Sequence, residues 1–175
     1  MVLVFAEGTK GNLKKAAFEA VTYGKKVAGL LGTSCTALTL GTVKGADELG
    51  RYGADRVLNV SDAALDHFDS QTFAAAIADV AKSNGAAVVI VSHTATGKSI
   101  AGRLAVRLNG GLVSGVNALP LVAGNALRVK KSVFSGKALV EYEISSAVQI
   151  LSLTGNAVKP EMTGAPVAVE NVSAH

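Results

Sequence analysis

The residues in this chain that come nearest to phosphate chemistry lie between Val88 and Leu104, in the stretch VVIVSHTATGKSIAGRL. A β-branched run enters a short polar turn, Gly97-Lys98-Ser99 follows, and a helical pattern begins. A phosphate-binding loop of the Walker kind reads Gly-x-x-x-x-Gly-Lys-Ser/Thr. Its first glycine lets the backbone fold tightly round a phosphate with its amides inward. Counting back from Gly97 places Ser92 where that glycine belongs. The sequence shows no convincing acidic partner at a strand end for magnesium, so the stretch is not read as such a loop. Its position still matters, because it follows the carboxyl end of a parallel strand and opens a helix. Open α/β sheets bind ligands there, and helix N-termini favour anions. Thr94, Thr96, Gly97 and Lys98 are therefore the candidate ligand contacts. Ser92, Thr94 and Thr96 equally suit a plainer role, capping the helix and satisfying the turn.

The other reactive residue types form no catalytic set. Gly8-Thr9-Lys10-Gly11 sits after the first strand in the equivalent place, but it is not the Gly-x-Gly-x-x-Gly of a dinucleotide site. His93 follows a strand without a recognisable Ser, Cys or carboxylate partner, which a catalytic histidine needs. His67 lies in a polar connector and His175 is the last residue, so the three histidines have no zinc-site spacing. Cys35, in GTSCTAL, has no basic or histidine neighbour to activate its thiol. Arg103 and Arg107 are four residues apart on one helix face. They could meet carboxylates across an interface or form a solvated stripe. No catalytic and no metal-ligating residue is assigned.

The elements that must position these residues follow from composition and period. The chain has 175 residues, 49% of them hydrophobic and 17% charged, with 19 glycines and only 3 prolines. That suits one compact α/β domain with tight strand-to-helix turns. The net charge of +4 is mild and the basic residues are scattered, so nucleic acid is not expected as a partner. A single cysteine, no leader-like N-terminus and no apolar run near the ~20 residues of a membrane span predict a cytoplasmic protein without membrane insertion.

Met1–Ala6 reads as a doubly buried strand, with Asn12 capping a first helix that Gly24 stops. KKVAGLLG reads as a second strand, and TSCTALTLGTVKG is ambiguous. ADELGRYG predicts a short helix, ADRVLNV a third strand, Gln71 to Ser83 a helix, AAVVIVS a fourth strand, Gly97 to Leu108 a helix, and NGGLVSGVNAL a fifth strand. The alternation implies a parallel sheet with right-handed crossovers. After Pro120, the segments ALRVKKSVF, KALVEYEI and AVQILSLTG read as antiparallel strands joined by hairpins. Residues 156–175 show no period and read as an extended tail or linker.

Four stretches in series resemble the N-terminal domain of the electron transfer flavoprotein alpha subunit. They are VLVFAEGTKGNLKKAAFEAVTYGKKV, ELGRYGADRVLNV, VVIVSHTATGKSIAGRLAVRLNGGLVSGV and VKKSVFSGKALVEYEI, and together they span roughly residues 2 to 155. The resemblance implies a three-layer α/β fold of the adenine-nucleotide alpha-hydrolase-like type, finished by antiparallel strands. It implies a heterodimer with a beta subunit that carries electrons from acyl-CoA or other dehydrogenases through FAD to a membrane quinone reductase, as in fatty acid beta-oxidation, with AMP in the partner subunit. In that family a second alpha-subunit domain carries the Ser-Gly-Gly-Arg-Gly-type loop and the main FAD contacts. No residue here matches it, so no FAD contact is carried over. Residues 1–155 are then the N-terminal domain and 156–175 a tail or linker to a flavin domain absent from this chain. The chain is thus expected to be an electron-carrier component rather than a self-sufficient enzyme. The alternative is a stand-alone adenine-nucleotide-binding protein of the same fold, using the turns Gly8 to Gly11 and Ser92 to Ser99.

Overall fold

The computed structural model describes residues 1–175. In chain order its elements are strand β1 (Val2–Phe5), a minimal hairpin of β2 (Gly8–Thr9) and β3 (Asn12–Leu13), helix α1 (Lys15–Leu31), β4 (Cys35–Leu40), a 3-10 helix (Ala46–Tyr52) and β5 (Arg56–Val60). A 3-10 turn (Ala63–Leu65), α2 (Ser70–Ser83), β6 (Val88–Ser92), α3 (Ala95–Leu108) and β7 (Gly111–Val116) follow. The chain ends with β8 (Leu121–Ala123), β9 (Ala126–Val133), β10 (Ala138–Ile144), β11 (Gln149–Leu153) and β12 (Val169–Val172).

Seven strands form one sheet in the order β12-β5-β4-β1-β6-β11-β7, and every pairing in it is parallel. Helices cover both faces, so the inner strands are apolar on both sides; VLVF of β1 and VVIVS of β6 are buried at every position. Alternate residues of β1 enter different cores. Val2 and Val4 face α1 and the 3-10 helix, while Leu3 and Phe5 face α2 and α3. A three-stranded antiparallel sheet, β10-β9-β8, completes the fold. This is the three-layer α/β architecture, with an antiparallel finish, that the sequence predicts.

Several boundaries differ from expectation. Residues 25–32 are not a second strand but the second half of α1, whose buried stripe continues through Val27 and Ala28. Gly24 does not stop that helix. A Cβ on Gly24 would lie 2.3 Å from Val4 Cγ2, so its glycine is there to let α1 lie close on β1. The helix ends at Gly32, in the left-handed conformation with φ 64°. The second strand of the sheet is instead β4, inside the ambiguous Thr- and Gly-rich stretch. Asn12 lies in β3 and does not cap α1, whose N-cap is Lys14.

AVQILSLTG does not extend the antiparallel hairpin. Its β11 inserts parallel between β6 and β7, where all five residues are buried. Alternation cannot reveal such a strand, because both of its faces are covered. β9 and β10 do pair antiparallel, as expected. The last twenty residues run back across the molecule rather than away from it. Glu161 N donates to Thr22 Oγ1, and Thr163 and Gly164 N donate to the Arg51 carbonyl. β12 then pairs with β5 as the outer strand of the main sheet.

Candidate functional site

Strand order reverses between β1 and β6. From β1 the chain moves to β4 and β5 on one side, and β6 then lands on the other side of β1. The carboxyl ends diverge there, which is where open α/β sheets hold ligands. β1 delivers Glu7 to this point and β6 delivers Ser92 to Thr94.

Glu7 is only 3% exposed. Its Oε1 accepts from Lys14 Nζ at 2.8 Å and its Oε2 accepts from the Thr94 hydroxyl at 2.9 Å. A buried carboxylate needs such partners. Thr94 Oγ1 in turn accepts the Gly97 amide at 3.1 Å, which makes Thr94 the N-cap of α3. One carboxylate therefore fastens β1 to the starts of both α1 and α3.

The remaining residues of the opening stretch divide. Ser92 is not a cap; its hydroxyl donates to the Ala16 carbonyl at 3.2 Å. Gly97 stands against Ser92, where a Cβ would come 1.6 Å from the Ser92 carbonyl oxygen, so the turn is closed on itself. Thr96 is half-buried and faces a cavity. Lys98 is exposed and forms no ion pair within the chain. Arg103 and Arg107 are exposed on the outer face of α3, also unpaired, and flank Val106, which is 83% exposed.

The fold brings His93 to Ser152, a contact no sequence pattern announces. His93 Nδ1 lies 2.9 Å from Ser152 Oγ, which also accepts the Gly115 amide at 2.8 Å. With that amide donating in, the hydroxyl proton is free to point at Nδ1, leaving the ring proton on Nε2 by inference from the network. Gly115, at φ 70°, belongs to an irregularity in the β7–β11 ladder. Lys131 Nζ donates to the neighbouring Ser114 carbonyl. Burial, with Lys98 and then Lys131 adding to it, holds His93 below its ordinary value. Ser152 is completely buried while His93 is half-buried; together they secure the bulge. No three His, Cys, Asp or Glu side chains converge to hold a metal ion.

A cavity of about 220 Å³ opens beside Glu7 at the same sheet edge. Phe5, Leu40 and Phe73 line its apolar side, and Lys10, Thr96 and Phe68 are among the rest of its lining. Phe73 meets Phe5 edge-to-face at 6.1 Å and Phe68 at 5.0 Å. Glu7 and Phe68 were not among the residues singled out from the sequence. The signal for Glu7 was a lone carboxylate ending an apolar strand; nothing in the sequence marked Phe68.

Fold and site together define a doubly wound α/β domain whose switch-point crevice is braced by the ion pair of a buried Glu7 with a half-exposed Lys14. The model of the electron transfer flavoprotein domain family matches residues 2–175, and the chain belongs to that family. It is 34% identical over 137 residues to "Protein FixB" of Clostridium saccharobutylicum, covering 77% of this chain and 41% of that one. It is 31% identical over 144 residues to "Electron transfer flavoprotein subunit alpha" of Bacillus subtilis, covering 78% and 42%. With the protein of the same name from Mycobacterium leprae it shares 32% over 175 residues, covering 96% of this chain and 52% of the other. The chain thus spans about four-tenths to half the length of these relatives.

Proposed function

We propose that this chain serves as the N-terminal scaffold domain of an electron transfer flavoprotein alpha subunit. One observation carries the reading: the family match runs the length of the chain, while relatives named as alpha subunits extend well beyond the matched part. In this reading the domain joins a beta subunit, and the heterodimer passes electrons from acyl-CoA or other dehydrogenases through FAD to a membrane quinone reductase. Fatty acid beta-oxidation is one setting for it, in the cytoplasm. No helix here is long and apolar enough to cross a membrane.

In this reading the flavin is not held by the crevice beside Glu7. Ligand pockets typically run to ~300–1,000 Å³, and about 220 Å³ is small for a flavin dinucleotide. FAD would rest mainly on residues outside this domain. The surface supports a partner. The β9–β10 hairpin exposes Phe134 (78%), Leu139 (79%) and Tyr142 (40%), and β10 has a free outer edge. Arg103 and Arg107 on α3 are the further contacts assigned to it.

Co-expression with a beta-type subunit tests the proposal. A one-to-one complex should form on gel filtration, and Phe134→Asp with Leu139→Asp should dissolve it while leaving the melting of this chain unchanged. This chain alone, incubated with FAD and freed of unbound flavin by gel filtration, should elute colourless. A yellow stoichiometric complex from this chain alone would sink the reading.

A further inference from the structure

The cavity at the switch point is a built pocket with one side left open. Its outer wall is the segment from Asp62 to Asp69, clamped at three places. Asp62 accepts the Ala64 amide at 2.9 Å, Asp66 accepts the Thr42 amide at 2.7 Å, and Asp69 accepts the Thr72 amide at 2.8 Å. Gly41 allows the middle clamp. It sits at φ 74°, and a Cβ there would lie 2.7 Å from both Asp66 Oδ1 and the Leu65 carbonyl oxygen. Held this way, the wall presents Phe68 to the cavity. Phe68 remains 48% exposed, whereas Phe5 and Phe73 behind it are buried. Phe68 packs edge-to-face on Phe73 and leaves the rest of its ring in water at the mouth of the cavity, open to a further packing partner.

The charged side chains around the cavity, two cations and two carboxylates, differ in how far they are partnered. Four charged side chains line it: Glu7, Lys10, Lys14 and Asp66. Glu7 and Lys14 neutralise one another, and the Thr42 amide serves Asp66. Lys10 makes no ion pair within the chain. It projects from the β2–β3 turn, where it and Gly11 both have positive φ, so the turn holds it at the cavity. Thr96 lines the same space from the first turn of α3, where the Gly97 amide is taken by Thr94 Oγ1 and the Ala95 and Thr96 amides have no partner within the helix.

We propose that this cavity is a binding site for a small aromatic carboxylate, its ring against Phe68 and Phe73 and its anionic group toward Lys10 and the start of α3. The volume selects a ligand of one or two rings rather than a whole nucleotide. None of the proposed electron-transfer roles requires this site.

Isothermal titration calorimetry and saturation-transfer NMR on the whole chain test it, with indole-3-acetate, indole, acetate and AMP as probes. Indole-3-acetate should bind saturably at one site, and indole and acetate at least about tenfold more weakly, as expected when half of a two-part recognition is removed. Phe68→Ala and Lys10→Gln should each weaken indole-3-acetate by about tenfold, and Lys137→Gln on the distant hairpin should not. Both variants change exposed side chains, and unchanged thermal melts would show that they fold. Absence of saturable indole-3-acetate binding at millimolar concentration overturns the proposal. So does binding that Phe68→Ala leaves intact, or AMP binding without indole-3-acetate binding.

Discussion

Gly97 touches Ser92 across the turn that opens α3, and no side chain can stand between them: a Cβ on Gly97 would fall 1.6 Å from the Ser92 carbonyl oxygen. Gly97→Ala must push β6 and α3 apart, and overpacking of this severity should cost about 3 kcal/mol or more. Gly102, on the same helix, is exposed with nothing within 4 Å of its Cβ position. Gly102→Ala should stabilise by about 0.5–1 kcal/mol through helix propensity alone. Urea denaturation of the two variants should move in opposite directions.

Glu7 and Thr94 act as one unit. Glu7→Ala should cost about 1–3 kcal/mol as a buried network is broken, and Thr94→Ala about 1–2 kcal/mol as a helix cap is lost. The double variant should fall short of the sum by at least about 0.5 kcal/mol, because each single change already removes their shared bond. Strict additivity would show that the contact carries no stability.

Asp55 and Cys35 titrate in opposite senses. Burial opposes the charge on Asp55, but the Cys35 amide, at 2.8 Å, and Lys25, at 2.7 Å, outweigh it and hold the carboxyl below its ordinary value of 3.8. A carboxylate with a lowered folded-state value stabilises fully above its unfolded value, and that stability is lost as pH falls through the folded one. Asp55→Asn should therefore destabilise at neutral pH, and its deficit should shrink below about pH 4. Burial first, then the Asp55 charge, pushes the Cys35 thiol up to about 12 against the opposing pull of Lys25. The thiolate is the reactive form, so iodoacetamide at pH 8 should spare Cys35 in the folded chain and modify it in urea.

His93 is held below its ordinary value by burial, then by Lys98 and Lys131. The folded state therefore binds its proton less readily than the unfolded one. The stability associated with this shift is complete above about pH 6.5 and is lost as pH falls through the lowered value. Lys98→Ala and Lys131→Ala should each raise the His93 midpoint in an NMR titration. A midpoint unmoved by either change would contradict the geometry.

Gly50 is the seat of the C-terminal segment. A Cβ there would lie 2.6 Å from the Ala165 carbonyl oxygen and 2.6 Å from Val167 Cγ2. Gly50→Ala should lift residues 163–167 from the 3-10 helix and loosen β12 on β5. Limited proteolysis should then cut the variant within residues 156–168 at a protease concentration that spares the parent chain.

The sequence by itself determined the elements whose period is local. The apolar runs VLVF and VVIVS, and the stripes of α2 and α3, carry their own burial pattern, because side chains repeat every two or every 3.6 residues. The likeness of four stretches in series to one family was equally legible. The tertiary structure decided what depends on partners distant in the chain. Residues 25–31 are apolar enough for a strand, yet they continue α1, whose inner stripe buries Val27 and Ala28 and whose Gly24 lets it lie close on Val4. β11 and β12 are strands because neighbours distant in the chain supply their hydrogen bonds. The site divides in the same way. Gly97 and Thr94 stood out by position, Glu7 only as a lone carboxylate ending an apolar strand, and Phe68 and the pairing of His93 with Ser152 not at all. A side chain's chemistry here is set by what packs against it, and those neighbours come from other strands.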